Sequence, residues 1–302
     1  RSKTGGGRSC SLITGVEGFT GRYLARELSL CGHSVAGIGI NPCPVDLQLQ
    51  QYKQVDLSDP SATAVAIAAM RPDLVFHLAG ISHVQSSPDA IYRINVAATR
   101  NLLAALAALE TPPGFTLLAS TANLYGNSGG VLKETAVPDP QNDYAVSKLA
   151  MEYMANIWRD RLPITIVRPF NYTGRGQATS FLIPKLVQHF RENLPLIELG
   201  NVDVVREFGD VRDVAAFYVR LAEVKAPWGP FNICSGIGYS LNDVLEMLQA
   251  MTGIHPKIRI NQAFVRPNEV HTLIGSPERL KACIGPLRIH NLKNTLQWML
   301  EE

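Results

Sequence analysis

The chain has 302 residues, a formal net charge of +2 and 18% charged residues. That length can hold one large domain or two modest ones around a buried core, and the near balance of charge excludes a nucleic acid or a membrane surface as the main partner. Cys10, Cys31, Cys43, Cys234 and Cys283 are scattered, odd in number and without metal-ligand spacing, so they argue against a disulfide framework or a metal site. They read as buried thiols in a reducing, cytoplasmic setting. No apolar run approaches the roughly 20 residues that cross a bilayer. Residues 1–9, with three consecutive glycines and no apolar signal core, read as a flexible leader outside the fold.

Cys10-Ser11-Leu12-Ile13-Thr14 is short, apolar and β-favouring, and it runs into Gly15-Val16-Glu17-Gly18-Phe19-Thr20-Gly21-Arg22. This predicts strand, glycine turn and helix. Gly15 makes the tight turn, Gly18 lets backbone approach a pyrophosphate, and Gly21 allows close helix-to-strand packing. The anion then rests on the helix N-terminus, at Phe19. The next strand, Ser34 to Ile38, leads to Gly39-Ile40-Asn41, where an NAD-preferring fold carries an acid for the ribose hydroxyls. None stands there. Arg22 is the nearest arginine for a 2′-phosphate, so the expectation leans to NADP(H) over NAD(H).

A third strand ends at Val55-Asp56-Leu57. Asp56, beside Leu57, either meets the adenine or caps the helix that begins around Ser58-Asp59-Pro60. Leu74 to Gly80 is apolar with a small-residue end, as in a buried parallel strand whose tip, Leu78-Ala79-Gly80, meets a ligand. His77 within it reads as a packed core residue. Asn95 to Leu109 reads as a long amphipathic helix and Phe115 to Ser120 as the next strand. The alternation predicts an α/β fold with a doubly wound parallel sheet, its ligands at the carboxyl ends of the strands.

The stretch Asn142-Asp143-Tyr144-Ala145-Val146-Ser147-Lys148 predicts a helix that places Tyr144 and Lys148, four residues apart, on one face. An ammonium beside a phenol stabilises the phenolate and brings its pKa down from about 10, so the pair can exchange a proton with a carbonyl or alcohol. Thr121, in Ser120-Thr121-Ala122-Asn123-Leu124-Tyr125-Gly126 at a strand end, can donate a hydrogen bond to the same oxygen. The glycine turn, this segment and the Tyr144/Lys148 helix, in this order, resemble the extended short-chain dehydrogenase/reductase family. That resemblance implies a Thr121/Tyr144/Lys148 triad over a nicotinamide, with Tyr144 and Lys148 also touching the cofactor, and a nucleotide-linked sugar as substrate.

Ile164 to Asn171 reads as a strand leaving the sheet, Phe181 to Asn193 as a helix, and Arg206 to Val214 as a strand returning to a helix. A capped helix from Ser240 or Asn242 to Met251 and a closing amphipathic helix from Leu292 to Leu300 follow. The expected organisation is a dinucleotide-binding domain over 10–170, with 208–235 returning to it, and a smaller α/β substrate lobe from 171–207 and 236–302. Arg-Pro-Phe-Asn at 168–171, Arg-Glu-Phe-Gly-Asp-Val-Arg-Asp at 206–213 and Arg-Pro-Asn-Glu-Val at 266–270 resemble the GDP-mannose branch of the family. By position that branch assigns Asn171, Arg206 and Arg266 to a diphosphate, Glu269 to a sugar or ribose hydroxyl and Lys185 to the nucleotide.

The branch's dehydratases carry a glutamate two residues before the tyrosine of the Tyr-Gly pair, and here Asn123 fills that slot beside the substrate. An amide cannot accept and return a proton in this role. The expectation is therefore a reductase of the C4 ketone of a GDP-4-keto-6-deoxy-mannose. A nucleotide-sugar 4-epimerase is the alternative, and a non-catalytic sugar-nucleotide binder is disfavoured by the intact triad. In this family the helices 95–109 and 144–158 form a four-helix homodimer contact, for which Ala97, Ala98, Ala104, Ala105, Leu149, Met151 and Met154 are the candidates.

Overall fold

A computed structural model describes residues 9–81, 86–265 and 271–302. They form two compact units, each assembled from separated stretches of chain. The first takes the described residues up to Leu124, with Gln141–Arg168 and Ala215–Pro230. Its strands are β1 (Cys10–Thr14), β2 (Ser34–Gly39), β3 (Gln51–Gln54), β4 (Leu74–His77) and β5 (Phe115–Ala119), together with Ile164–Pro169. They stand side by side in the order Ile164–Pro169, β5, β4, β1, β2, β3, and every pair is parallel. The helices are α1 (Phe19–Leu30), α2 (Pro60–Met70), α3 (Pro88–Tyr92), α4 (Thr99–Ala107) and α5 (Asp143–Asn156), with a π-helical stretch, Arg93–Ala98, joining α3 to α4, and the helix Val211–Glu223 from Ala215 onward.

The sheet is covered on both faces, which is why its strands read as continuous apolar runs rather than alternating ones. Leu12, Val75, Leu118 and Ile166 from the strands pack with Ile67, Leu102, Leu103 and Met151 from the helices. Pro60 opens α2, and the Asp59 carboxylate accepts hydrogen bonds from Ser61 N and Ala62 N. Asp59 is therefore the cap. Asp56, weighed for that role, accepts from Ser58 N at 2.9 Å and closes the turn before it. The third strand stops at Gln54, short of Asp56.

The second unit comprises residues 125–140, 169–214 and 231–302, described above to 265 and from 271. Its core joins helices Leu182–Arg191, Leu241–Thr252 and Leu292–Leu300 to the parallel strands Leu196–Leu199 and Lys257–Ile260. Ser240 and Asp243 form a reciprocal capping box on the helix from Leu241, which resolves the choice between Ser240 and Asn242. Residues 125–140, 169–170, 208–214 and 231–235, which the sequence reading leaves with the first domain, belong to this unit. Gly130–Leu132 pairs parallel with Thr272–Gly275, Asn232 Nδ2 donates to Leu132 O at 3.0 Å, and Asn232 N donates to Glu134 at 2.8 Å. Those contacts are long-range, so no local pattern announces them.

Cys234 is buried, but Cys31 and Cys43 are exposed and Cys10 and Cys283 half-buried, so the expectation of buried thiols holds for one of the five. All five are free. Among the described residues no helix is long and apolar enough to cross a membrane, and no cluster of His, Cys, Asp or Glu has the makings of a metal site.

Candidate active site

The glycine turn runs from the end of β1 into α1. Gly15 has φ +69°, donates its N–H to Ile38 O at 2.8 Å, and leaves no room for a Cβ, which would stand 2.9 Å from the Ala79 backbone. Gly18 N donates to Gly15 O at 3.0 Å, and Gly18, the N-cap of α1, has no side chain to cover the helix start. A Cβ on Gly21 would lie 2.5 Å from Gly15 O and 2.7 Å from Val16 Cα. The turn is thus pressed against the tip of β4 at Leu78-Ala79, with bare backbone where a pyrophosphate would lie. These residues fit a dinucleotide. Phe19 follows directly and meets Tyr23 edge-on at 5.6 Å. Leu57 is buried, with its carbonyl accepting from Asn101 Nδ2 at 3.0 Å, and Asp56 beside it is exposed.

Lys148 marks the centre of the arrangement. Its Nζ donates to Ala119 O, the last residue of β5, at 2.9 Å. A Cβ on Gly80 would stand 3.2 Å from that Nζ and 3.0 Å from Asn95 Oδ1, so a side chain here would press on both groups. Burial pushes the Lys148 ammonium down to about 8, against the opposing pull of Glu152. Tyr144 stands one turn earlier on α5, and Thr121 follows β5 by two residues. Thr121, Tyr144 and Lys148 are 5%, 9% and 7% exposed. Thr121 Oγ1 accepts from Asn123 N at 3.1 Å, while Asn123 itself is exposed.

Asn95 is a residue whose contribution the sequence reading misses. It lies fully buried in the π-helical stretch, accepts from Ile81 N at 2.9 Å, and donates to Ile81 O at 3.2 Å and Ser147 Oγ at 3.0 Å. Ser147 Oγ in turn donates to Tyr144 O at 2.7 Å. An asparagine on the apolar stripe of a helix is the signal that was available. His77 is core, as expected: Nδ1 and Nε2 meet Thr14 Oγ1 at 2.6 Å and Thr99 Oγ1 at 2.8 Å. Burial, with Lys148 nearby, pushes His77 down to about 3, so the ring is neutral.

Arg22 is committed elsewhere. It forms an ion pair with Asp46 and donates from Nε to Glu17 O at 3.1 Å. The candidate substrate residues Asn171, Lys185 and Arg206 all belong to the second unit. Asn171 is exposed and its carbonyl accepts from Gly209 N at 2.8 Å. Lys185 lies 5.1 Å over the Phe264 ring and donates to Glu198 O at 3.3 Å. Arg206 donates to Val205 O and His271 O at 2.9 and 3.3 Å. Arg266 and Glu269 lie outside the described residues.

Comparison with known proteins gives a concordant result. Residues 11–234 match the model of the NAD dependent epimerase/dehydratase family. The chain is 33% identical to GDP-6-deoxy-D-talose 4-dehydrogenase of Aggregatibacter actinomycetemcomitans, over 91% of this chain and 90% of that one. It is 30% identical to GDP-6-deoxy-D-mannose reductase of Pseudomonas aeruginosa, over 96% and 95% of the two chains. The crystal structure of a putative epimerase from Burkholderia cenocepacia superposes with a TM-score of 0.94 at 48% identity, covering 98% of both chains. Among other similar solved chains, one holds NAD and another NADPH.

Proposed function

This chain belongs to the NAD dependent epimerase/dehydratase family and is an NAD(P)-dependent oxidoreductase of nucleotide-linked sugars; from that premise we propose that it reduces the C4 ketone of GDP-4-keto-6-deoxy-D-mannose. The observation that carries the proposal is Asn123. It is exposed beside Thr121, at the position where elimination of water would need a carboxylate. The two GDP-sugar relatives support the substrate class, and their named sugars, 6-deoxy-talose and 6-deoxy-mannose, differ only at C4. The product is accordingly GDP-6-deoxy-D-mannose (GDP-D-rhamnose) or its C4 epimer.

The reduced dinucleotide, when bound, supplies the hydride. Tyr144 gives its hydroxyl proton to the developing alkoxide, and the Thr121 hydroxyl donates a hydrogen bond to the same oxygen. Lys148, positively charged at neutral pH, holds the nicotinamide ribose and favours the phenolate that proton donation leaves behind. In the second unit, Asn171 and Arg206 offer an amide and a planar fork to the diphosphate, and Lys185 a charge to the nucleotide. Arg266 and Glu269 retain their proposed roles at the diphosphate and a hydroxyl.

The test follows absorbance of the reduced nicotinamide on addition of GDP-4-keto-6-deoxy-mannose generated by a separate dehydratase. Oxidation that depends on the keto sugar and falls by about 10²- to 10⁴-fold in Tyr144→Phe is expected. No oxidation with either NADH or NADPH overturns the reductase. The 4-epimerase is the second reading, favoured by the likeness to a putative epimerase; interconversion of nucleotide sugars with no net oxidation would establish it.

A homodimer completes the proposal. Ala98, Ala105 and Met151, named above for the contact, are committed to the core of the first unit. The exposed large apolar residues of α5 and its C-cap are Val146, Tyr153 and Ile157, at helical spacing, with Tyr153 and Ile157 72% and 76% exposed. A second copy packed on this stripe would cover it. Light scattering at micromolar concentration is expected to give a dimer that Ile157→Asp converts to monomer; a monomeric parent protein removes the contact.

A further inference from the structure

The end of β2 carries no acid, yet a carboxylate stands there. Glu17, in the glycine turn, reaches across so that Oε1 accepts the N–H of Ile40 at 2.8 Å. Its other oxygen occupies the space that Gly39 leaves by having no side chain: a Cβ built on Gly39 would collide with Glu17 Oε2 and stand 2.5 Å from its Cδ. Oε2 is buried and has no hydrogen-bond partner among the described residues. Tyr52, on β3, closes the same space, its hydroxyl donating to Asn41 O. Any larger residue at position 39 would expel the carboxylate.

We propose that Glu17 selects NAD(H) over NADP(H), acting from the glycine turn in place of the acid that β2 lacks. A carboxylate at this point accepts hydrogen bonds from the 2′- and 3′-hydroxyls of the adenosine ribose and repels a 2′-phosphate. The cations nearby do not offset it. Arg22, the residue on which the lean to NADP(H) rests, is bound to Asp46 and to the Glu17 carbonyl, and Asp46 adds a second negative charge. Arg26 approaches the same Asp46 at 4.0 Å. Lys53 neighbours Tyr52 on β3 and so points to the opposite face of the sheet. A buried oxygen without a donor is costly, and a ribose hydroxyl is the chemistry that would relieve that cost. The inference rests on the dinucleotide site and is independent of which sugar is reduced.

The test is direct binding, with no turnover. Protein stripped of nucleotide is titrated calorimetrically with NADH and NADPH, and with the fragments AMP and adenosine 2′,5′-bisphosphate, which differ only in the 2′-phosphate. The parent protein is expected to bind NADH and AMP roughly ten- to hundred-fold more tightly than their phosphorylated partners, the worth of one charge-assisted hydrogen bond. Glu17→Gln, checked for folding by thermal melt, is expected to shrink that ratio by about ten-fold while keeping the bond to Ile40 N. Tighter binding of NADPH by the parent, or a ratio unchanged in Glu17→Gln, overturns the selectivity role while leaving the dinucleotide site and the reductase standing. If the variant does not fold, tighter binding of adenosine 2′,5′-bisphosphate than of AMP by the parent protein still overturns the proposal.

Discussion

Two buried charges, one in each unit, are held in opposite ways. Among the described residues Lys148 donates one hydrogen bond, to Ala119 O, of the three N–H groups its ammonium carries. Glu207, in the second unit, is 1% exposed and has both oxygens filled: Ser235 N, Gly236 N and Gly275 N donate to it at 2.9, 3.0 and 3.0 Å. Both charges pay for burial. Desolvation pushes Lys148 down to about 8, and it pushes the Glu207 carboxyl above its usual range in spite of three backbone donors. The difference lies in what is left over. Among the described residues Lys148 keeps unused donors beside Gly80 and Asn95, at the end of the sheet where a ligand is expected, whereas both oxygens of Glu207 are engaged in tying residues 235–236 to residue 275. Unspent hydrogen-bonding capacity marks a group kept for chemistry, and spent capacity marks one kept for architecture.

Replacing the lysine should break the comparison most visibly. Lys148→Met is expected to lower turnover by about 10²- to 10⁴-fold and yet to stabilise the fold. The folded pKa, about 8, lies below the ordinary 10.5, so between these values the unfolded chain binds more protons and stability of the parent protein rises with pH. The full span is on the order of 3 kcal/mol. Below pH 8 the penalty is present in full, so the methionine variant should be more stable at pH 7 by about 1–3 kcal/mol after losing the bond to Ala119. Urea melts from pH 7 to 10 check this. The parent curve should climb while the variant's stays flat by comparison, and a variant less stable at pH 7 would show that Lys148 is a structural group after all.

This division also explains what the sequence could disclose. The glycine turn, the Tyr144/Lys148 helix and the closing helix Leu292–Leu300 are written in local spacing, so their residues and their order were legible. The doubly wound sheet followed from alternating strands and helices. Asn95 could be placed on a helix, but its bonds to Ile81 and Ser147 depend on chain 14 and 52 residues away. Glu17 carries no role in the sequence reading, because its partner, Ile40 N, is supplied from beyond another strand. The pairing of Gly130–Leu132 with Thr272–Gly275 was invisible for the same reason, which is why residues 125–140 were assigned to the other domain. Local periodicity reports what a residue can form, and long-range pairing decides what it does form.

The smaller effect concerns the saturated charge. Glu207→Gln keeps the shape but replaces one oxygen by an amide that donates, so an NH₂ must face the Ser235 N–H or those of Gly236 and Gly275. Donor against donor in a buried place should destabilise the protein by about 2 kcal/mol at pH 7. The sign of the pH dependence is opposite to that of Lys148. Because the folded carboxyl sits above the ordinary 4.5, the folded state binds more protons in the window above that value, and the parent protein loses stability as pH rises through it. A glutamine has no such proton to lose. The gap between parent and variant should therefore be widest near pH 4.5 and narrow toward pH 7, while turnover per folded molecule holds. Urea melts across that window with a parallel rate measurement decide the matter: a gap that widens with pH, or turnover lost in molecules that remain folded, would move Glu207 from the architecture to the chemistry.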